Sequence, residues 1–249
     1  MPRVIGIVQA RLSSRRLPAK ILAPIFDRPL LAVLLERLRG ARVDEWWVAT
    51  SSRPEDCVTE VWARELGCRV HRGPLDDVLA RFTAIIRERE PDWVVRVTAD
   101  NPFVDGEIVN RLIEEIPGLD PEATVVGADA SDRTWPLGYV PQLARADAVL
   151  CAEREIPPDQ PFHRAHVLTW LGATGGHRHL RPPPGTPRRG GWRWTVDTFL
   201  DLEMARHAFA VFGDRWREIG YADMVAALDR HPEIPRINRQ VRQKSPEEG

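Results

Sequence analysis

The chain has 249 residues, 43% apolar and 29% charged, with a formal net charge of −1. That length is enough for one large domain or two small ones with a substantial core, and the balanced charge offers no global field for nucleic acid or an anionic membrane. Cys57, Cys68 and Cys151 have no metal-type spacing and form an odd set, which argues against a disulfide framework or a zinc site and for a reducing compartment.

No apolar run approaches the roughly 18 residues of a membrane span, and the first apolar run breaks at Gln9, too early for a signal peptide. A cytoplasmic protein is expected. In chain order, VIGIVQA (4–10) is a continuous apolar run of strand length, as for a strand covered on both faces. Pro29 opens a helical pattern, LLAVLLERLRGA, that ends near Gly40. WWVATS (46–51) predicts a second buried strand, and Pro54-Glu55-Asp56 starts a helix that stops at Gly67. CRVHR (68–72) is a third strand. DDVLARFTAIIRERE (76–90) predicts a helix with an acidic start, with Asp76 as N-terminal helix charge and Val78, Leu79 and Phe82 at core spacing. DWVVRVTAD (92–100) is a fourth strand, followed by a helix from about Asp105 to Ile116, and ATVVGA (123–128) is a fifth.

The second half is less regular. Segment 132–142 predicts a loop, 143–155 and 161–172 predict helices, and PPPGTPRRGG (182–191) is a loop. WRWTVD (192–197) predicts a further strand, with helices at 198–212 and 221–230. The tryptophans mostly fall in strand runs and suit the core, with Trp135 and Trp192 as candidate pocket walls. The domain organisation expected is a single domain over 1–235, with an excursion at about 132–190 and a polar C-terminal tail over 236–249.

Alternating strands and helices at this spacing imply right-handed crossovers and a mostly parallel sheet. Ligands of such sheets sit outside the carboxyl ends of the strands. The polar segments leaving those ends are 9–20, 51–53, 72–77 and 98–102. The first, QARLSSRRLPAK, contains neither G-x-G-x-x-G nor G-x-x-x-x-G-K-[ST], the two glycine-rich phosphate motifs. Phosphate there would be held by side chains, namely Arg11, Ser13, Ser14, Arg15, Arg16 and Lys20. The other reading is a basic loop that simply faces water. Of 35 basic residues only Lys20 and Lys244 are lysine. In such a chain a loop lysine marks a place for a compact point charge. Asp100 and Asp197 are carboxylates at strand ends, suited to a hard cation or, equally, to helix capping.

These segments, in order, resemble the cytidylyltransferase-like family, which includes spore-coat polysaccharide proteins of the SpsF type and the acylneuraminate and 3-deoxy-manno-octulosonate cytidylyltransferases. QARLSSRRLPAK is similar to Q-A-R-x-x-S-x-R-L-P-x-K, and VATS (48–51) with Pro54-Glu55-Asp56 is similar to the second-strand segment. RGPLDDVLARF (72–82) resembles R-G-x-x-x-D-V-L-x-R-[FY], RVTADNP (96–102) resembles R-x-T-x-D-x-P, and TVDTFLDLE (195–203) resembles V-D-x-x-x-D-L-E. The match runs over about residues 3–205.

The resemblance implies a nucleotide-diphospho-sugar transferase fold, a Rossmann-like three-layer α/β/α sandwich with a mostly parallel sheet. It implies Mg²⁺-dependent transfer of CMP from CTP to an acidic sugar or related small anion, with release of pyrophosphate. Such a reaction asks a protein mainly for positioning and charge neutralisation. By resemblance, Arg11, Arg16 and Lys20 hold the phosphates, and Gln9, Ala10, Ser14, Ser51, Arg72 and Asp77 complete the nucleotide site. Asp100 and Asp197 become the metal ligands, with Arg16, Lys20 and Asp100 as the catalytic set. PFHRAHV is similar to a family R-E-H-V segment, which places Arg164 and His166 on the acceptor; His163 and His166 without a third ligand do not make a metal site. A homodimer packing through the 132–190 excursion is also implied.

The chain departs from the family pattern at Ser13 and Ala19, where glycine is usual, and at Arg15, where threonine is. Without glycine the loop is less able to take positive φ. PLGYVPQ (136–142) departs from the acidic P-D-G-L-D-V-E type, so the acceptor half is altered. The alternatives are another NTP, a phosphate or phosphonate acceptor, or a non-catalytic nucleotide-sugar-binding relative.

Overall fold

The computed structural model describes residues 1–128, 134–157, 159–174 and 176–243; the first residues of the expected excursion, Lys244 and the end of the expected tail lie outside the described residues. The chain runs β1 (Val4–Gln9), β2 (Pro24–Ile25), β3 (Arg28–Pro29), α1 (Leu30–Arg37), β4 (Glu45–Ser51), α2 (Cys57–Glu65), β5 (Arg69–Gly73), α3 (Val78–Arg89), β6 (Trp93–Thr98) and α4 (Gly106–Glu114). It continues through β7 (Val125–Gly127), β8 (Gln142–Arg145), α5 (Ala146–Glu155), α6 (Pro161–His166), α7 (Thr169–Thr174), β9 (His177–His179), α8 (Phe199–Ala210) and α9 (Tyr221–Arg230).

Among the described residues the main sheet has the order β5-β4-β1-β6-β8-β7-β9. β5, β4, β1 and β6 are parallel, and β8 is antiparallel to both neighbours. Strand β1 is central because its side chains are apolar on both faces. Val4 and Val8 enter one core with Leu34, Phe103 and Trp194, while Ile5 and Ile7 enter the other with Leu79, Phe82 and Ile86. Gly6 is required by a close approach, since a Cβ there would stand 2.2 Å from the Trp46 ring. The result is the expected three-layer α/β/α sandwich.

Helix starts follow local chemistry. Asp77 caps α3 by accepting from the Ala80 amide (3.0 Å), and Asp105 caps α4 from Ile108 (3.0 Å). Thr198 and Asp201 form a capping box at α8. The helix charge expected of Asp76 is thus joined by a cap from its neighbour.

Three expectations are corrected. WRWTVD (192–197) is not a strand of the sheet; it makes an isolated bridge from Arg193 to Leu137. The place beside β6 is filled by β8, whose residues the sequence pattern divides between a loop and a helix. Segment 192–197 is stitched instead by Trp194 N to Leu137 O and Val196 N to Asp100 O, both 2.8 Å. Trp135 is not a pocket wall. It is 8% exposed, packs its ring 4.9 Å from Tyr221, and donates its indole N–H to Leu180 O (3.0 Å). The part of the chain after Pro235 that is described packs on the domain through buried Asn238. Among the described residues no helix is long and apolar enough to cross a membrane.

Candidate active site at the carboxyl ends of β1 and β6

The first loop leaves the middle of the sheet, where Ala10 N bonds Ala49 O (3.1 Å) and Ala99 N bonds Gln9 O (2.9 Å). It closes on itself by Ser14 N and Ala19 N, both donating to Leu12 O (2.8 and 3.0 Å). Leu12 N is in turn held by Asp56 Oδ1 (2.8 Å), whose other oxygen accepts from the buried Ser51 hydroxyl. The turn into the short helix at Lys20–Leu22 needs a left-handed residue, and Ala19 supplies it at φ 54°. Lacking glycine, the loop takes its positive φ at alanine, at a cost of about 1–2 kcal/mol.

That turn aims Lys20 inward. Its Nζ lies 2.5 Å from Asp100 Oδ2 and 2.8 Å from Asp197 Oδ1, and Arg16 Nη2 lies 2.8 Å from Asp197 Oδ2. The Val196–Asp100 backbone bond brings the two aspartates side by side. Burial alone would lower the Lys20 pKa, but Asp100 and Asp197 outweigh it and hold the ammonium above its ordinary value. For Asp197 burial pushes up, and Lys20, Arg16 and Arg193 together hold it below the usual carboxylate range.

The pair of carboxylates also fits a divalent ion: both already converge on one cationic atom, and their donors are hard oxygens. Among the described residues no group of three or more His, Cys, Asp or Glu is placed to share an ion. A cation here would take two carboxylates and fill its shell with water or phosphate oxygens, the habit of Mg²⁺.

Beside this cluster lies a cationic floor. Arg96, half-buried at mid-strand, donates to Gln9 Oε1 (3.0 Å) and Gln142 Oε1 (2.7 Å), and burial lowers its pKa to about 10 against the pull of Asp100. His166 is held below its ordinary value by burial, then by Arg96, Arg11 and His163. Arg81, in the RGPLDDVLARF segment, is fully buried with Nη1 on Ala49 O (3.2 Å), and burial followed by Arg11 lowers it to about 10.

Other expected site residues find partners within the protein. Asp77 and Arg164 pair with each other, Nε and Nη2 of Arg164 lying 2.8 and 2.6 Å from Asp77 Oδ2. Arg72 braces the loop after β4, donating to Ser51 O (3.1 Å) and Arg53 O (2.7 Å). His163 meets the Thr169 hydroxyl at 2.9 Å. Sequence reasoning passes over Asp56, Arg96, Gln142, Arg193 and Asp201. A charged residue inside an apolar strand run, as in WVVRVT and WRWTV, is the signal that would find Arg96 and Arg193.

A mostly parallel sheet between two helical layers, with basic side chains and paired carboxylates at its carboxyl edge, is an architecture suited to nucleotidyl transfer. The profile described as Cytidylyltransferase matches residues 5–155, and the chain belongs to the cytidylyltransferase family. It is 31% identical over 250 residues to an uncharacterized protein of Methanocaldococcus jannaschii, covering 98% of this chain and 97% of that one. It is 28% identical over 244 residues to the spore coat polysaccharide biosynthesis protein SpsF of Bacillus subtilis (94% and 97%). It is 29% identical over 178 residues to the 3-deoxy-manno-octulosonate cytidylyltransferase of Anaeromyxobacter sp. strain K (67% and 72%). Among solved structures, a cytidylyltransferase from Leptospira borgpetersenii matches with a TM-score of 0.86 at 23% identity, over 98% of this chain and all of that one. CMP:2-keto-3-deoxy-manno-octonic acid synthetase complexed with CTP matches at 0.60 and 22% identity, over 84% and 98%.

Proposed function

We propose that the chain transfers CMP from CTP to an acidic sugar or related small anion. An acceptor hydroxyl oxygen bonds to the α-phosphorus and gives up its proton to solvent, the bond from that phosphorus to the bridging oxygen of the β-phosphate breaks, and pyrophosphate leaves with the electron pair of that bond. The observation that carries this reading is the meeting of Lys20 and Arg16 with Asp100 and Asp197 at the carboxyl ends of the central strands. Cations and carboxylates at one point suit a polyphosphate carried with a divalent ion.

In this proposal Arg11, Ser14, Arg16 and Lys20 hold the phosphates, and Lys20 leaves the carboxylates to do so. Gln9, Ala10, Ser51 and Arg72 shape the nucleotide side, and Asp77 acts through its pairing with Arg164. Asp100 and Asp197 would hold Mg²⁺, which when bound neutralises phosphate charge. Arg164 and His166, with Arg96 behind them, line the acceptor side, where His166 offers a neutral imidazole for hydrogen bonding and Arg96 the positive charge. A homodimer packed through the 132–190 region and a cytoplasmic setting, which suits the free cysteines Cys57, Cys68 and Cys151, complete the reading.

The test is pyrophosphate release by the purified protein with CTP, Mg²⁺ and a panel of acidic sugars, sugar phosphates and phosphonates. Release with an acidic sugar that disappears in Lys20→Ala and Asp100→Ala supports the proposal. Equal thermal shifts with all four NTPs and Mg²⁺ would remove the assignment of CTP, since a ligand at 100 times its Kd adds about 2.7 kcal/mol of stability.

A further inference from the structure

The carboxylate of Asp197 is gripped from behind. Arg193, 7% exposed, sends Nη2 to Asp197 Oδ2 (2.6 Å) and Nε to Asp201 Oδ1 (2.9 Å). Asp201 is fully buried, and its Oδ2 accepts from the backbone amides of Asp197 (3.0 Å) and Thr198 (2.9 Å). The residue closing this network comes from the end of the chain. Asn238, 2% exposed, donates from Nδ2 to Arg193 O and Asp201 Oδ1, both at 2.9 Å. Gln243 Oε1 accepts from Arg193 Nη1.

We infer that residues 236–243 belong to the active site, with Asn238 and Gln243 as positioning residues that act on Asp197 through Arg193. The inference rests on the proposed role of Asp197 as a metal ligand. Its logic lies in which oxygen is occupied. Arg193 takes Oδ2, while Oδ1 faces Lys20 and the space between the aspartates. Lys20 and Arg16 must turn to the phosphates when nucleotide binds. Arg193 is then the cation still on Asp197, and it fixes the rotamer that presents Oδ1. A buried arginine shared by two carboxylates holds its geometry only while its surroundings are satisfied, and Asn238 satisfies both the arginine backbone and the second carboxylate. Outer groups of this kind commonly change metal affinity by about 10–100-fold when removed.

The experiment measures Mn²⁺ binding without nucleotide, by titration calorimetry, on the full chain and on Asn238→Ala, Gln243→Ala, Arg193→Lys and Asp197→Ala. Near-UV circular dichroism checks that each is folded. Expected are a strong loss of Mn²⁺ affinity in Asp197→Ala and a weakening of about tenfold or more in Asn238→Ala and Arg193→Lys. Exposed Gln243→Ala should move in the same direction by less, and it keeps the test open should Asn238→Ala not fold. In turnover, Asn238→Ala should raise the Mg²⁺ concentration for half-maximal rate, with that rate recovered at high Mg²⁺. If the folded Asn238, Gln243 and Arg193 variants bind Mn²⁺ as the parent does while Asp197→Ala does not, the positioning role is wrong and the metal site stands. If Asp197→Ala binds Mn²⁺ normally, the metal-ligand reading fails and takes this inference with it.

Discussion

Lys20 and Asp100, 80 positions apart, meet at 2.5 Å from Nζ to Oδ2. The lysine stands where the proposed divalent ion would bind, so in that proposal ion and ammonium compete for the same oxygens. Lys20→Met should therefore bind Mn²⁺ alone about tenfold more tightly, roughly 1.4 kcal/mol, while losing affinity for CTP. Titration calorimetry with each ligand separately reads both signs. Mn²⁺ binding weakened by Lys20→Met would contradict the arrangement.

Removing Asp100 acts differently, because it takes away both a ligand and the partner of Lys20. Asp100→Asn should reduce the rate of pyrophosphate release by about 100-fold or more, the scale seen when one preorganised electrostatic group is lost. Steady-state kinetics at saturating CTP would show it, with the melting temperature confirming a folded protein.

The histidines set a pH dependence. Burial, reinforced by Arg96, Arg11 and His163, lowers His166 below its ordinary value of 6.5, and burial does the same to His71. Below pH 6.5 the unfolded chain takes up protons that the folded protein resists, so stability should fall as pH drops through that window and be flat above it. Melting temperatures from pH 5 to 7.5 should show the slope, and His166→Asn should flatten part of it. Asp197, held below its ordinary 3.8, adds stability that is lost only at lower pH still.

Ala19 at φ 54° offers a gain. Left-handed backbone costs alanine about 1–2 kcal/mol, more than the roughly 0.5–1 kcal/mol of extra chain entropy that glycine loses on folding. Ala19→Gly should raise stability by about 0.5–1 kcal/mol, seen as a higher urea midpoint at unchanged slope.

Gly138 is the opposite case. It sits at φ 90°, and a Cβ there would come within 2.7 Å of Asn101 Oδ1 and 2.8 Å of Thr195 Cβ. Gly138→Ala should cost about 1–3 kcal/mol and spread the strands of chain that carry Asp100 and Asp197. A lower melting temperature with weakened Mn²⁺ binding is the expected result.

By itself the sequence determined the parts whose signal is local. The apolar runs of β1, β4 and β6 announce buried parallel strands, and the polar segments behind them announce the ligand edge. QARLSSRRLPAK carries its charge and its family likeness in twelve consecutive residues, among them Arg16 and Lys20, which the fold brings to Asp197 and Asp100. Short elements with no period of their own, such as β8 and β9, had nothing local to announce them. Only the tertiary structure decided who pairs with whom. Asp77 and Arg164 are 87 positions apart and spend their charge on each other, while Asn238 reaches Asp201 across 37. A strand pattern in WRWTVD gave way because β8 already held the hydrogen-bonding edge of β6. Charge and hydropathy are properties of a residue, but the partner that neutralises a buried charge depends on sheet order and chain crossing, which exist only once the whole domain has packed.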